Sequence, residues 1–300
     1  MPFDSSKPPV IFGEVLFDCF PDGAQVLGGA PFNVASHLAA FGAAPVFVSS
    51  VGGDALGDQI ERAMAKRGMS RLGLQRDPVH GTGSVQVTLV DGEPSYDIVA
   101  DRAYDHIQAA ALPTLPAGSL LYHGSLALRG EVSTAALHAL CEQTDAAVFL
   151  DVNLRDPWWD KQRVIAMLDG ATWAKLNADE LGLLAPDGAT TEERAQLLLE
   201  RHDLQLVIAT LGAKGAFALA ADGGCCRVAP ETSVQVVDAV GAGDGFASVL
   251  ILSLLRKWPL QQGLDRAQAF ASAMVGQRGA TVDDPAFYAA FARAWGIKST

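Results

Sequence analysis

The chain of 300 residues is 49% hydrophobic and carries 34 acidic against 22 basic side chains, a formal net charge of −12. That length and apolar content suffice for a large buried core, whereas the negative charge argues against a nucleic-acid or membrane-surface role, since both need a basic face. A small anionic ligand stays open, because backbone N–H groups, a metal ion and a few basic side chains hold one locally.

In chain order, Val10 to Phe12 predicts a first strand, and "GGAPFNVASHLAAFG" a glycine turn leading into a helix on which Val34, Leu38 and Phe41 share a face before Gly42 ends it. "PVFVSSVG" reads as a buried strand and "GDALGDQIERAMAKRG" as a helix closed by Gly68. Residues 84 to 99 differ: Val85, Val87 and Leu89 alternate with polar residues, and Asp91-Gly92 is a hairpin turn, so an antiparallel ribbon with two unlike faces is expected. Beyond residue 115 strand and helix alternate: "LLYHG", Thr134 to Gln143, "AVFLDVN", Lys161 to Leu168, "TWAKLN", Glu192 to Arg201 and "LQLVIATLG". That order is the signature of a doubly wound α/β sheet, mainly parallel and covered on both faces. The ribbon near 84 to 99, with a contribution from 14 to 27, is expected to form a small β lid on one edge.

No linker, charge block or fixed-period repeat interrupts this alternation, so a single unit spanning residues 1 to 300 is expected. Cys19, Cys141, Cys225 and Cys226 show no C-x-x-C spacing and fit reduced thiols better than a disulfide framework or zinc. Glu14 and Asp18 interrupt the apolar run after Val10, which removes a signal-peptide reading and favours the cytoplasm. Residues 23 to 53 carry no charged side chain, but Pro31, Asn33, His37 and Pro45 break any membrane span, and the stretch reads as core.

The most informative stretch is "VVDAVGAGDGF". Phe246, Val249, Leu250 and Leu254 share one helical face, so the helix should begin near Ala242 and leave the N–H groups of Gly241, Ala242 and Gly243 free. Glycines there let the backbone approach a ligand, and the helix dipole adds positive character. Asp244 in the first turn could simply stabilise that dipole by about 0.3 to 1 kcal/mol. The chemical alternative is that the N–H groups hold a developing phosphate charge while Asp244 takes a proton from an attacking hydroxyl.

"DAVGAGDGF" resembles the C-terminal D-T-x-G-A-G-D signature of the ribokinase/PfkB family of sugar kinases, and "GGAPFNVASHLAAFGA" resembles that family's N-terminal glycine signature. The likeness extends over the chain through "GEVLFD", "DVNLR", "NADE" and "TLGAKG". It implies a ribokinase-like three-layer fold and an ATP-dependent sugar kinase that transfers the γ-phosphoryl group to a primary hydroxyl. Asp244 would be the base, with Gly241, Ala242, Gly243 and Arg155 stabilising charge, and Asp18, Gly28, Gly29 and Asn33 would hold the sugar. Asn177, Thr210, Gly212, Gly215 and Asp238 would serve the nucleotide, and Glu180 would hold Mg2+ through water. Asp238 is expected at a strand end, holding the loop or the nucleotide side.

Each of these has a plainer reading: Asp18 as a turn residue, Asn33 as a helix cap, and Asn177 with Glu180 as a capping box. Ala239 stands where the signature has threonine, and "QRGATVDDP" at residues 277 to 285 is a loose version of the segment that lies near adenine and, in many members, a monovalent cation such as K+. The expected lid is small, so burying the sugar calls for another subunit, as in a homodimer through the lid, or a short loop closure. Trp158 and Trp159 read as packing residues, His37 and His123 lack metal-ligand spacing, and Lys175 reads as a solvated or locally paired lysine at a strand end.

"GEVLFDCFPDG", "GGAPFNVA" and "GEPSYDIV" look most like bacterial fructokinases, with 2-keto-3-deoxygluconate or another ketose as the rival substrate. A dinucleotide-dependent oxidoreductase should show G-x-G-x-x-G after the first strand, which "GGAPFN" does not. A non-catalytic sugar sensor on the same scaffold is opposed by the intact Gly-Ala-Gly-Asp turn.

Overall fold

In the computed structural model, which describes residues 3–90, 93–230 and 236–297, the apolar runs become strands of a nine-stranded sheet. The first half of the chain contributes β1 (Val10–Phe12), β2 (Leu16–Cys19), β3 (Gln25–Gly28), α1 (Ala30–Ala40), β4 (Val46–Gly52), α2 (Ala55–Lys66), β5 (Leu74–Asp77), β6 (Gly83–Val90) and β7 (Glu93–Ile98). Then come β8 (Leu120–His123), α3 (Glu131–Thr144), β9 (Ala147–Asp151), α4 (Lys161–Asp169), β10 (Trp173–Asn177), α5 (Ala178–Leu184) and α6 (Thr191–Arg201). The last third supplies β11 (Leu206–Thr210), β12 (Ala216–Ala220), β13 (Cys225–Val228), α7 (Ala242–Arg256), α8 (Leu260–Val275) and α9 (Pro285–Trp295).

The large sheet runs β13-β12-β11-β10-β9-β8-β1-β4-β5, parallel from β11 to β5 and antiparallel only where β12 and β13 extend it. Strands buried on both faces need apolar side chains on both. Ile11, Phe47, Tyr122 and Phe149 pack with α1, α7 and α8 on one side, and Phe12, Val48, Leu121 and Val148 pack with α3 on the other. Farther along, Leu150, Leu176 and Val207 pack under α4, α5 and α6. The result is the three-layer, doubly wound, mainly parallel architecture expected from the alternating elements. After β1 the chain winds toward β4, and from β8 it winds the other way, so the switch point lies between β1 and β8, where an open α/β sheet leaves a crevice at its strand ends.

A second sheet, β3-β2-β6-β7, is built from two separate excursions of the chain. Each excursion is an antiparallel hairpin, and the two are joined by parallel pairing of β2 with β6, Leu16 opposite Gly83 and Asp18 opposite Val85. The expected ribbon at 84 to 99 is therefore half of a mixed sheet; its Asp91-Gly92 turn lies outside the described residues. Leu16, Val85, Tyr104 and Leu126 form the apolar seat that fixes this sheet on the body. Among the described residues no helix is long and apolar enough to cross a membrane.

Candidate active site

Helix α7 begins at Ala242 with Gly241 as its N-cap, in a left-handed conformation at φ +79. A side chain at Gly241 would collide with the backbone of Ala280, so glycine is required both for the turn and for the close passage of the neighbouring loop. Among the described residues the N–H groups of Gly241 and Gly243 have no acceptor, as expected. The Ala242 N–H is different, because it makes a long 3.4 Å bond to Ala239 O that closes the turn.

Asp244, in the first turn of α7, accepts a 2.8 Å hydrogen bond from Asn33 Nδ2. Asn33 is not the cap of α1, contrary to its plainer reading; Gly29 holds that position, and Asn33 sits inside the helix, buried. Its Nδ2 thus joins the two glycine-rich segments at one point, while its Oδ1 is buried without a donor. Gly29, at φ +103, packs on the backbone of Glu14 and Val15, where a Cβ would come within 2.7 Å of Glu14 O, whereas Gly28 faces open space. Asp244 is half-buried, and burial raises its pKa to about 6 against the lowering effect of Asn33, with Asp151 pushing the same way as burial.

Below this turn lies a buried ion pair. Lys175 and Asp151 stand opposite each other in the β9–β10 register, and Lys175 Nζ bonds both Asp151 oxygens at 2.8 and 3.0 Å. Lys175 is 7% exposed and lies inside β10, so of its two readings the locally paired one holds and the solvated one does not. Burial alone would lower its pKa, but Asp151 outweighs that and raises it, so the ammonium stays charged beside the α7 N-terminus. Tyr122 donates to Asp151 Oδ2 at 3.3 Å.

Glu14, which in the sequence only interrupted an apolar run, is 4% exposed, and its Oε2 has no partner. Burial lifts its pKa to about 7 despite the positive charges of Arg155 and Arg129. Burial also raises Asp18 on β2, again opposed by Arg155. Arg155 is exposed, and its positive charge opposes the upward shift of Glu14, Asp18 and Asp244 alike. A carboxyl raised by folding binds its proton more tightly in the folded chain, so its stabilising contribution is complete below its unfolded value near 4.5 and is lost as pH rises through about 7. Glu14→Gln should consequently raise the melting temperature at pH 8 and leave it nearly unchanged at pH 4.5. Equal shifts at both values, read by scanning fluorimetry, would refute a buried, strained carboxylate.

Of the residues expected to serve the nucleotide, Asn177 and Thr210 stand opposite each other at the ends of β10 and β11. Asn177 caps α5 by accepting from Glu180 N at 2.9 Å, and Glu180 returns the bond by accepting from Asn177 N at 2.8 Å. The capping box is real, and the other Glu180 oxygen accepts from Leu154 N at 2.8 Å, tying the segment that carries Arg155 to α5. Burial raises the Glu180 pKa. Thr210 ends β11, and Gly212 and Gly215 bound the single turn that returns the chain into β12. Asp238 does not end a strand within the described residues; it accepts from Val240 N at 2.9 Å and Gly279 N at 3.0 Å, which holds the loop before α7 against the loop after α8.

The two glycine-rich segments are thus joined at Asp244 through its hydrogen bond from Asn33. The profile described as "pfkB family carbohydrate kinase" covers residues 20–286. The chain belongs to that family. As a member it is an ATP-dependent phosphotransferase acting on a sugar hydroxyl. Among curated proteins the kinase is 29% identical to a fructokinase of Escherichia coli and 30% identical to one of Salmonella typhimurium, each alignment covering 81% of this chain and 83% of the relative. Among solved structures it resembles the fructokinase of Vibrio cholerae O395 in its fructose-, ADP- and calcium-bound form, with a TM-score of 0.83 at 26% identity, covering 95% of this chain and 99% of that one.

The residues set aside in the sequence settle into the kinase's packing. His37 hydrogen-bonds Tyr288 Oη and Ala280 O, His123 contacts Gly124 O, and Trp158 lies under the Arg129 guanidinium at 4.4 Å. Glu14, Lys175 and Asp151 are the site-lining groups that the sequence reading missed. One signal was available for Lys175: a lysine inside a strand covered on both faces needs an acid opposite, and "LDVN" supplies one on the preceding strand.

Proposed function

We propose that the kinase is a fructokinase, transferring the γ-phosphoryl group of ATP to the primary hydroxyl of D-fructose to give fructose 6-phosphate. The observation that carries this reading is the Asn33–Asp244 hydrogen bond, which joins the two glycine-rich segments at one carboxylate. The fructokinase relatives and the fructose-bound structural neighbour favour the sugar.

In this reading Asp18, the Gly28–Gly29 turn and Asn33 orient the sugar, and its hydroxyl donates its proton to Asp244. Sugar hydroxyls are well matched to Asn33 Oδ1 and Glu14 Oε2, buried acceptors whose lack of donors costs about 1 to 3 kcal/mol each. The N–H groups of Gly241 and Gly243, assisted by the Ala242 turn and Arg155, stabilise charge on the group in flight. Asn177, Thr210, Gly212, Gly215 and Asp238 line the nucleotide side. Each Glu180 oxygen has one backbone donor and keeps a second lone pair, so a water-mediated contact with Mg2+ fits. When bound, Mg2+ neutralises phosphate charge. Closure of the small sheet over the sugar would exclude water and suppress ATP hydrolysis.

The test is ADP release with Mg·ATP across fructose, 2-keto-3-deoxygluconate, ribose, tagatose and adenosine, with and without K+. Fructose should give the highest kcat/KM. A higher value on 2-keto-3-deoxygluconate replaces the sugar and keeps the site, and binding of a sugar without turnover would establish a sensor instead.

A further inference from the structure

On the face of the large sheet that carries α3 and α4, opposite the face packed by α7 and its Asp244, a cavity of about 250 Å³ opens between the two helices. Leu128, Leu137, Val148, Met167 and Cys141 wall it. Burial lifts the Cys141 thiol to about 11, which keeps that wall uncharged at neutral pH. At the rim the Arg163 guanidinium donates to Glu131 Oε1 and to Arg129 O, each at 2.6 Å, so the positive charge there is already matched. His123, at the end of β8, lines the same cavity and is 3% exposed.

The protonation of His123 is fixed by its partner. Nδ1 lies 3.0 Å from Gly124 O, and a carbonyl oxygen only accepts, so Nδ1 carries the proton. Burial lowers the imidazole pKa to about 4 against the effect of that bond, and the ring takes no second proton at neutral pH. Nε2 is therefore a bare acceptor. Among the described residues it receives no hydrogen bond, yet it is not one of the unpartnered atoms sealed off from open space, so the Nε2 edge is the part of the ring that reaches the cavity.

We propose that this cavity binds a small neutral aromatic molecule bearing one hydroxyl or ring N–H, a phenol or an indole, with that donor on His123 Nε2 and the ring held between α3 and α4. Apolar cavities of about 150 Å³ already hold a benzene ring, so the volume here accommodates a ring together with a substituent. A ligand without a donor leaves Nε2 unpaired in an apolar setting, and the cost of that mismatch selects for the hydroxyl or N–H. Water is a poorer occupant, because it needs two to four polar partners and meets Leu128, Leu137, Val148 and Met167. The matched charges at the rim give no purchase to a net charge, which separates this ligand class from the nucleotide and sugar phosphate of the transfer reaction.

Phenol and indole, with toluene as the ring that lacks a donor, test the proposal on the full chain by calorimetry and by long-range proton–nitrogen spectra of the imidazoles. One phenol should bind per chain and move the His123 Nε2 resonance upfield, as a lone pair does on accepting a hydrogen bond. His123→Phe keeps a ring and removes the acceptor; it should weaken phenol by about tenfold or more without weakening toluene. Cys141→Phe, which places a phenyl ring in the cavity from α3, should weaken all three probes. Saturating Mg·ADP with fructose should change none of these affinities, and melts without ligand establish that each variant is folded. Phenol binding that does not saturate, that Mg·ADP displaces, or that survives both substitutions overturns the proposal, as does toluene binding the native chain as tightly as phenol.

Discussion

Asp244→Asn should lower kcat for sugar phosphorylation by about 10²- to 10⁴-fold, the usual span for loss of a general base, while the sugar KM changes by no more than a few-fold. The native enzyme should show kcat/KM rising with pH through an apparent pKa of about 6, one proton wide, because only the ionised carboxyl can accept the hydroxyl proton. That limb should vanish in the variant. Stability should move the other way. A carboxyl whose pKa is raised from 3.8 to about 6 by burial contributes stability at low pH that is lost as pH rises through 6. Asp244→Asn is thus expected to melt higher than the native chain at pH 8 and to lose that advantage near pH 4. An inactive variant that is also less stable at pH 8 would mark Asp244 as structural. Undiminished turnover would remove it from the base role.

Lys175→Met should be the most damaging single change to the fold. It leaves the Asp151 carboxylate, 2% exposed, without its ammonium. Breaking a buried pair on one side costs about 3 to 5 kcal/mol, on the order of a 5 to 10 °C fall in melting temperature for a chain of this size. Replacing both partners, Lys175→Met with Asp151→Leu, should restore most of that stability, because a matched apolar pair avoids the unpaired charge. Activity should stay low in the double variant, since Lys175 Nζ lies 3.9 Å from where a Cβ on Gly243 would stand and contributes positive charge at the helix end. Recovery of full activity along with stability would reduce the pair to a packing device.

What the sequence made legible follows from the range of each interaction. The start of α7 at Ala242 and the alternating strands and helices from β8 to α4 arise from local periodicity and a glycine turn and stand close to where the pattern placed them, whereas β5, β12, β13, α5, α8 and α9 were not read from it. Asp244 and Asn33 were legible as motif members, but their hydrogen bond spans 211 positions and belongs to the tertiary structure alone. The Lys175–Asp151 pair depends on the register of two neighbouring strands, which neither strand states by itself. Glu14 was hidden for a similar reason: an acid after a short apolar strand looks like a surface residue, and only the folded chain shows it buried. Asn177 and Glu180 were ambiguous because one spacing serves both a cap and a ligand contact, and the structure contains the cap.

The small sheet has a consequence for how such an enzyme can change over evolutionary time. Its two hairpins leave the body at widely separated points, and neither is more than a two-stranded ribbon, an arrangement with little stability of its own in water. Only the parallel seam between β2 and β6 turns them into a four-stranded unit. A graft or deletion confined to one excursion would therefore strand the other, so the cover of this site is inherited or lost as a matched pair of insertions rather than as an exchangeable loop.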